Sequence, residues 1–361
     1  MIRIKSIVYV ILLLSPTAMV YASLPRDEGC NFDGDTVCPG AHPGAATTSQ
    51  RALTDSTTAI TTGISKAVAL TLSPKSILGG RTALNSDTYR TTGYAAGGYF
   101  TNAAGWLSYV RTTTDNTKFF TESDGNLDSA LVGLDFSPRD NMVLGLTFGY
   151  ENNDITTKFN VGEQRIHGFT IAPYVGFLFH PNFSVDASAG YSSIDIDQTR
   201  LDTVNLTSII DGDTDSDRWF VSGNLNAFTR VRDFAFSGRV GIVYAEEDID
   251  AIVETGGPDA FTTPSETVEF GQLQAGGEVA YSVASIEPYA SVFYEHDFEF
   301  EKVLFDTGLP HLPQDRSDVR FGLGARYFSD YGFSANLEWS IITWREGIDS
   351  HTLGLTGRLE F

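Results

Sequence analysis

The feature that most constrains this chain is a series of twelve segments, running from about residue 104 to the end, in which apolar and polar residues alternate. They cover 104–112, 128–137, 141–151, 165–179, 182–194, 217–229, 233–246, 268–281, 285–297, 318–328, 331–344 and 350–361. A period of two is the pattern of a strand whose two faces meet different surroundings. In 141–151, Leu144, Leu146, Phe148 and Tyr150 face one way, and Gly145, Thr147 and Gly149 the other. In 331–344, Phe333, Ala335, Leu337, Trp339 and Ile341 oppose Ser334, Asn336, Glu338 and Ser340.

Alternation alone suits a soluble sandwich as well as a membrane barrel; the connections separate the two. Those after even-numbered segments are minimal, such as Pro138-Arg139-Asp140, His180-Pro181 and Ser329-Asp330. Most of those after odd-numbered segments are long and polar, such as 113–127, 195–216, 247–267 and 298–317. Short turns on one rim and long loops on the other is the layout of an outer-membrane barrel. Aromatic residues mark both rims. Tyr109, Tyr150, Tyr191, Tyr244, Tyr294 and Trp344 stand toward the long loops, and Phe136, Phe179, Phe228, Tyr281, Phe328 and Phe361 toward the short turns. Two aromatic girdles are expected where a sheet crosses two lipid–water interfaces. The predicted fold is therefore all-β, a 12-stranded antiparallel transmembrane β-barrel, which leaves no unpaired edge in lipid. The terminal strand HTLGLTGRLEF, with Leu353, Leu355, Leu359 and Phe361 on one face, then pairs with the first strand instead of fraying.

The other end supplies an address. Residues 1–22 have Arg3 and Lys5, an apolar run at Ile7–Leu14, and Val20-Tyr21-Ala22 as a cleavage sequence. That is the layout of a secretory signal peptide, and the apolar run falls short of the about 20 residues a spanning helix needs. In an oxidising compartment Cys30 and Cys38 are a candidate disulfide. The Thr-rich stretch 49–72 is a candidate weak helix. A net charge of −22 excludes nucleic acid as a partner and fits a solvated acidic surface.

GWLSYVR (105–111), GLDFSPRDNMVLGLTFGYEN (133–152), IEPYASVFYEHDF (286–298) and the terminal alternation ending in Phe361 together resemble the C-terminal translocator domain of autotransporters, the type V secretion family. The resemblance covers about residues 100–361. It implies a monomeric barrel over 101–361 in the bacterial outer membrane, in contact with lipid and lipopolysaccharide. It also implies insertion by the outer-membrane barrel assembly machinery, which reads a last strand ending in an aromatic residue. In the family a helix ahead of the first strand threads the lumen; 49–72 is the candidate here. Ahead of the barrel stands only the extension 23–100, without repeats. The expected function is that of a translocator-like or surface-display protein with a minimal passenger. The alternatives are a small outer-membrane pore and a loop-mediated adhesin.

By strand parity, Asp135, Asp186, Arg239, Glu278, Glu287, Glu295, Arg320, Arg326, Glu338 and Arg358 face the lumen. They could fill it, dock a plug or line a pore. Some family members cut their passenger by cyclising a lumenal asparagine; Asn85 is the weak candidate for that role. Four aspartates alternate in DGDTDSD (211–217), assigned to a loop, without the glycine and glutamate of a calcium-binding EF-hand. No zinc, nucleotide or serine-nucleophile motif is present, and His296 and Asp297, adjacent on a strand, face opposite sides. No enzyme activity and no cofactor are expected.

Overall fold

The computed structural model describes residues 45–72, 103–117, 122–158, 160–202, 204–205, 207–300, 315–329 and 332–361. Residues 1–22, read above as a signal peptide, and Cys30, Cys38 and Asn85 lie outside the described residues. A helix, α1 (Ala45–Leu72), precedes the strands β1 (Ala103–Asn116), β2 (Ser123–Arg139), β3 (Met142–Thr157), β4 (Gly162–His180), β5 (Phe183–Leu201), β6 (Ile209–Val231) and β7 (Phe234–Ile249). Two short strands follow, β8 (Ile252–Val253) and β9 (Thr262–Thr263), which pair with each other. The series ends with β10 (Glu266–Tyr281), β11 (Ile286–Phe300), β12 (Ser317–Phe328), β13 (Phe333–Thr343) and β14 (Ile348–Glu360). All but β8 and β9 form one closed antiparallel barrel, in which β1 pairs with both β2 and β14.

The register at the closure runs from Ala104↔Glu360 to Asn116↔Ile348 without a shift. The Phe361 amide donates to the Ala103 carbonyl at 2.9 Å, so the terminal residue is hydrogen-bonded into the seam. Closure pairs the backbone polar groups that an open edge would leave bare in hydrocarbon. Leu353, Leu355, Leu359 and Phe361 all point outward and are exposed.

Between the rims, the apolar residues of each strand face out: Leu144, Leu146, Phe148 and Tyr150 on β3, and Leu337 and Trp339 on β13. At the long-hairpin rim the tyrosines carry their hydroxyls toward polar groups one strand away. Tyr109 donates to Asp128 at 2.5 Å, Tyr191 to Asp217 at 2.5 Å, Tyr244 to Glu269 at 2.8 Å and Tyr294 to Ser317 at 3.0 Å. This is the geometry of amphipathic rings at a lipid–water boundary.

Above that boundary the hydrophobic phase inverts. On β5 the exposed apolar residues Phe183, Val185 and Tyr191 are followed by Ile194 and Ile196, both buried inside, while Asp195 and Asp197 face out. Ile155, Ile166, Ile210 and Ile249 make the same change on β3, β4, β6 and β7. The sheet thus turns its apolar side to lipid below the tyrosines and to its own interior above them, as water on the outside requires.

Two expectations are corrected by this extension. Residues 211–217 are not a loop: they lie within the 23-residue strand β6, paired with β5 out to Leu201↔Ile209. The region 247–267 likewise holds the end of β7, the β8–β9 hairpin and the start of β10. That hairpin folds against β6, with the Asp211 and Thr255 amides exchanging hydrogen bonds of 2.9 and 2.8 Å. Arg200 on β5 fixes it, donating to Glu254 at 2.9 and 2.6 Å and to the Asp259 carbonyl at 2.8 Å. A third correction concerns the girdle at the short turns. Phe228 and Phe328 lie on the inward face, in step with Asn226 and Arg326, and line the lumen. Phe136, Phe179, Tyr281 and Phe361 are exposed at that rim, together with Phe234, Tyr327 and Phe333.

Candidate functional site: the helix-filled lumen

The sequence of α1, AATTSQRALTDSTTAITTGISKAVALTL, is a poor autonomous helix, because its many threonines lose side-chain freedom there. Thr61 and Thr71 turn their hydroxyls back to the Thr57 and Ala67 carbonyls, at 2.8 and 3.1 Å. Such back-bonding satisfies a hydroxyl in a dry place and adds nothing to the helix itself. The barrel supplies the missing stabilisation. Leu53, Ile60, Ile64, Val68 and Leu72 join Trp106, Leu131, Val143, Tyr174 and the isoleucines of the upper wall in one apolar cluster. Gly63 permits the approach: a Cβ placed there would lie 2.6 Å from Leu131 Cδ1.

Polar anchors fix the direction of the helix. Near its N-terminal end, Asp55 accepts from Thr114 at 3.0 Å, and Ser56 meets Arg218 at 2.5 Å and also contacts Glu151. Thr114, Glu151 and Arg218 all lie toward the long-hairpin rim. Midway, Lys66 pairs with Glu338 at 2.9 Å. At the other end, Val68 and Leu72 close on Gly176 beside Val143, near the short turns. The N-terminal end of α1 is therefore at the long-hairpin mouth and its C-terminal end at the short-turn mouth. Its 28 residues rise about 42 Å, enough to traverse the barrel.

The lumenal charges foreseen by parity all lie on the inner wall, most of them in ion pairs. Asp135 accepts from Arg358 at 2.5 and 2.7 Å and from the Tyr174 hydroxyl at 2.9 Å, and Trp106 donates to Tyr174 at 2.7 Å. Arg320 is bidentate on Glu295, at 2.9 and 3.1 Å. Arg326 reaches Glu278, and Glu287 at 3.2 Å, with its guanidinium 4.3 Å above the Tyr289 ring. The Tyr289 hydroxyl lies 2.8 Å from Asn336 and 2.7 Å from Glu338. Asp186 accepts from Asn224 and Asn226 at 2.7 and 2.8 Å. Arg239 stacks 4.6 Å over Phe293 and reaches Gln274 at 3.4 Å. Sequence reasoning did not find Arg218 or Arg345, the first buried between Glu151 and Glu247 and the second between Asp297 and Asp318. Parity would have found Arg218; Arg345 sits on a turn, where parity gives no direction.

Helix and wall do not fit equally on all sides. On the β2–β6 side the contact is apolar except where Ser56 meets Glu151 and Arg218. On the β7 and β10–β14 side a cavity of about 180 Å³ runs beside the helix. One face of α1 lines it, from Asp55 through Thr58, Thr62, Ser65 and Lys66 to Leu70, a rise of about 22 Å. Phe228 and Phe328 line its short-turn end. Among the described residues no group of histidine, cysteine and carboxylate side chains could hold a metal ion. The aspartates of 211–217 point outward in a row without converging on a centre.

The autotransporter β-domain family matches residues 103–340. The chain belongs to that family. Solved structures agree in fold. The translocator domain of the autotransporter NalP from Neisseria meningitidis superimposes with a TM-score of 0.62 at 13% identity, over 72% of this chain and 89% of that one. The β-domain of the Bordetella autotransporter Brka gives 0.58 at 13% identity, over 72% of this chain and all of that one. No curated protein matches by sequence. As an autotransporter barrel, the chain is a protein of the bacterial outer membrane, and its barrel is a translocator-type domain, a class that is generally non-enzymatic. The long-hairpin rim then faces outward and the short turns face the periplasm.

Proposed function

We propose that this autotransporter barrel displays the segment preceding its lumenal helix at the cell surface, and holds it there by the helix. The observation that carries this reading is the direction of α1, whose N-terminal end is at the outer mouth beside Thr114 and Arg218. With the leader read at residues 1–22 removed, residues 23–44 are the stretch of sequence ahead of that helix end. The helix contains no asparagine, so asparagine cyclisation has no substrate within it. Three further parts of the reading are an N-terminus at Ser23 after signal cleavage, recognition of Phe361 by the barrel assembly machinery, and a monomer embedded in lipopolysaccharide and lipid. The filled lumen favours display over a small open pore.

The test is a peptide tag inserted ahead of residue 44, probed by added protease on intact cells. Removal of the tag without lysis is the expected result. Protection of the tag until the outer membrane is broken would sink the proposal.

A further inference from the structure

Helix α1 seals only half of the lumen, and the geometry points to Arg345 as the residue that closes the other half at its outer end. On the β3–β7 side the outer mouth is filled by Ile155, Ile166, Ile194, Ile196 and Ile249, contiguous with the helix. Val268 and Phe270 carry that layer onto β10, and among the described residues none of its members lies on β11–β14; on that side the cavity rises along the helix as far as Gln274 on β10, Glu295 on β11 and Arg320 on β12. One inward-facing position further out on the same three strands stand Gln272, Asp297 and Asp318, all buried. Successive inward positions on a strand are about 6.6 Å apart, so these three form the next layer above the cavity.

Arg345 ties that layer together. It belongs to the turn 344–347 between β13 and β14, in which Trp344 and Gly347 have φ of 68° and 69°. This turn sends Trp344 outward, edge-on to Phe321 at 6.3 Å, and Arg345 inward. The Arg345 guanidinium reaches Asp297 and, at 3.1 Å, Asp318; Gln272 donates to the other Asp297 oxygen at 2.9 Å. A planar fork between two carboxylates is a connection lysine cannot reproduce. Toward the seam the same level is continued by Thr114, whose hydroxyl donates to Asp55 of the helix at 3.0 Å and lies 3.1 Å from the Ser350 hydroxyl. A cavity under a hydrogen-bonded cover stays closed to ions as long as the cover holds; with Arg345 gone, the two carboxylates repel each other across its centre. The inference rests on the helix occupying the lumen and is independent of what the segment ahead of it does, so failure of the display test leaves it standing.

The experiment is ion flux through the full mature chain in phospholipid vesicles, with Cys30 and Cys38 replaced by serine and the folded fraction checked by gel mobility before and after boiling. The parent holds an ion gradient. Arg345→Ala and Arg345→Gln are expected to dissipate it. Arg345→Cys is expected to leak, to close again when a positively charged aminoethyl thiosulfonate is attached, and to stay open with a negatively charged sulfonatoethyl one. A folded Arg345→Ala barrel that holds the gradient like the parent overturns the proposal, as does resealing by both reagents alike. Should Arg345→Ala not fold, the same flux is read on Asp297→Asn, where a gradient held at the parental level counts against the seal.

Discussion

Asp135 and Arg358 show how much a single pair can do in a barrel. Arg358 stands on the last strand and Asp135 on the second, so their two hydrogen bonds cross over β1 and fasten both sides of the closure. Both side chains are almost fully buried, and removing one member of a buried pair strands the other's charge at a cost of about 3–5 kcal/mol. Arg358→Ala is expected to lower markedly the temperature at which the fast-migrating folded species disappears from gels. Joining it to Asp135→Ala should restore part of that loss, since the double variant leaves no stranded charge. Gly63 acts by absence. A leucine there would collide with Leu131, and overpacking of this kind costs about 1–3 kcal/mol. Gly63→Leu should therefore loosen the helix, read as protease cleavage within α1 in detergent-purified, still-folded protein.

At the scale of elements, the hairpin of β5 and β6 carries its own instability. Asp195 stands opposite Asp215, Asp197 opposite Asp213, and Asp217 opposite Asp248 on β7. Like charges facing each other across strands are unfavourable. Asp215 is consequently held above its ordinary value of 3.8, first by sharing a hydrogen bond with Asp195, then by desolvation and by the charges of Asp195, Asp250 and Asp213. A carboxyl whose affinity for the proton rises on folding makes the folded hairpin more stable when protonated. That stability is fully present below 3.8 and is lost as pH rises through the elevated value. Backbone protection factors over 209–217, exchange rates corrected for the intrinsic pH dependence of the amides, should rise on acidification and also rise at neutral pH with added salt, which screens exposed charges. Protection indifferent to both would contradict the pairing.

The same hairpin shows what the sequence made legible and where it fell silent. Within the lipid, alternation is enforced on every strand by two opposed environments, so strand number, order and the inward set could be read from parity. Above the tyrosines that contrast disappears from DGDTDSD: its inward residues, Gly212, Thr214 and Ser216, are as polar as its outward ones, and the segment looked like a loop. The signal that remained was every aspartate falling on one parity. Phe228 and Phe328 were misassigned for the opposite reason, an aromatic being taken for a girdle member although its parity placed it inside. The orientation of α1 was not legible at all, because it depends on Ser56, Lys66 and Val68 meeting partners far away in sequence.

At the scale of the whole molecule, three layers follow one another along the axis: short turns carrying outward aromatics, a band that is apolar outside, and an outer section that is apolar inside. The helix runs through all three, and display, sealing and the choice of mouth depend on its being there. A Cβ built on Gly63 lies 3.7 Å from the Ser108 Cβ on β1, within the usual disulfide range of about 3.5–4.5 Å. The decisive measurement is therefore oxidation of Gly63→Cys/Ser108→Cys in intact outer membranes, with Leu131 replaced by alanine to make room for the new Cβ and Cys30 and Cys38 replaced by serine, followed by denaturation and counting of free thiols with a maleimide mass tag. A helix in the lumen predicts that both thiols vanish together in the folded species. Two free thiols in barrels that still migrate as folded would contradict the account.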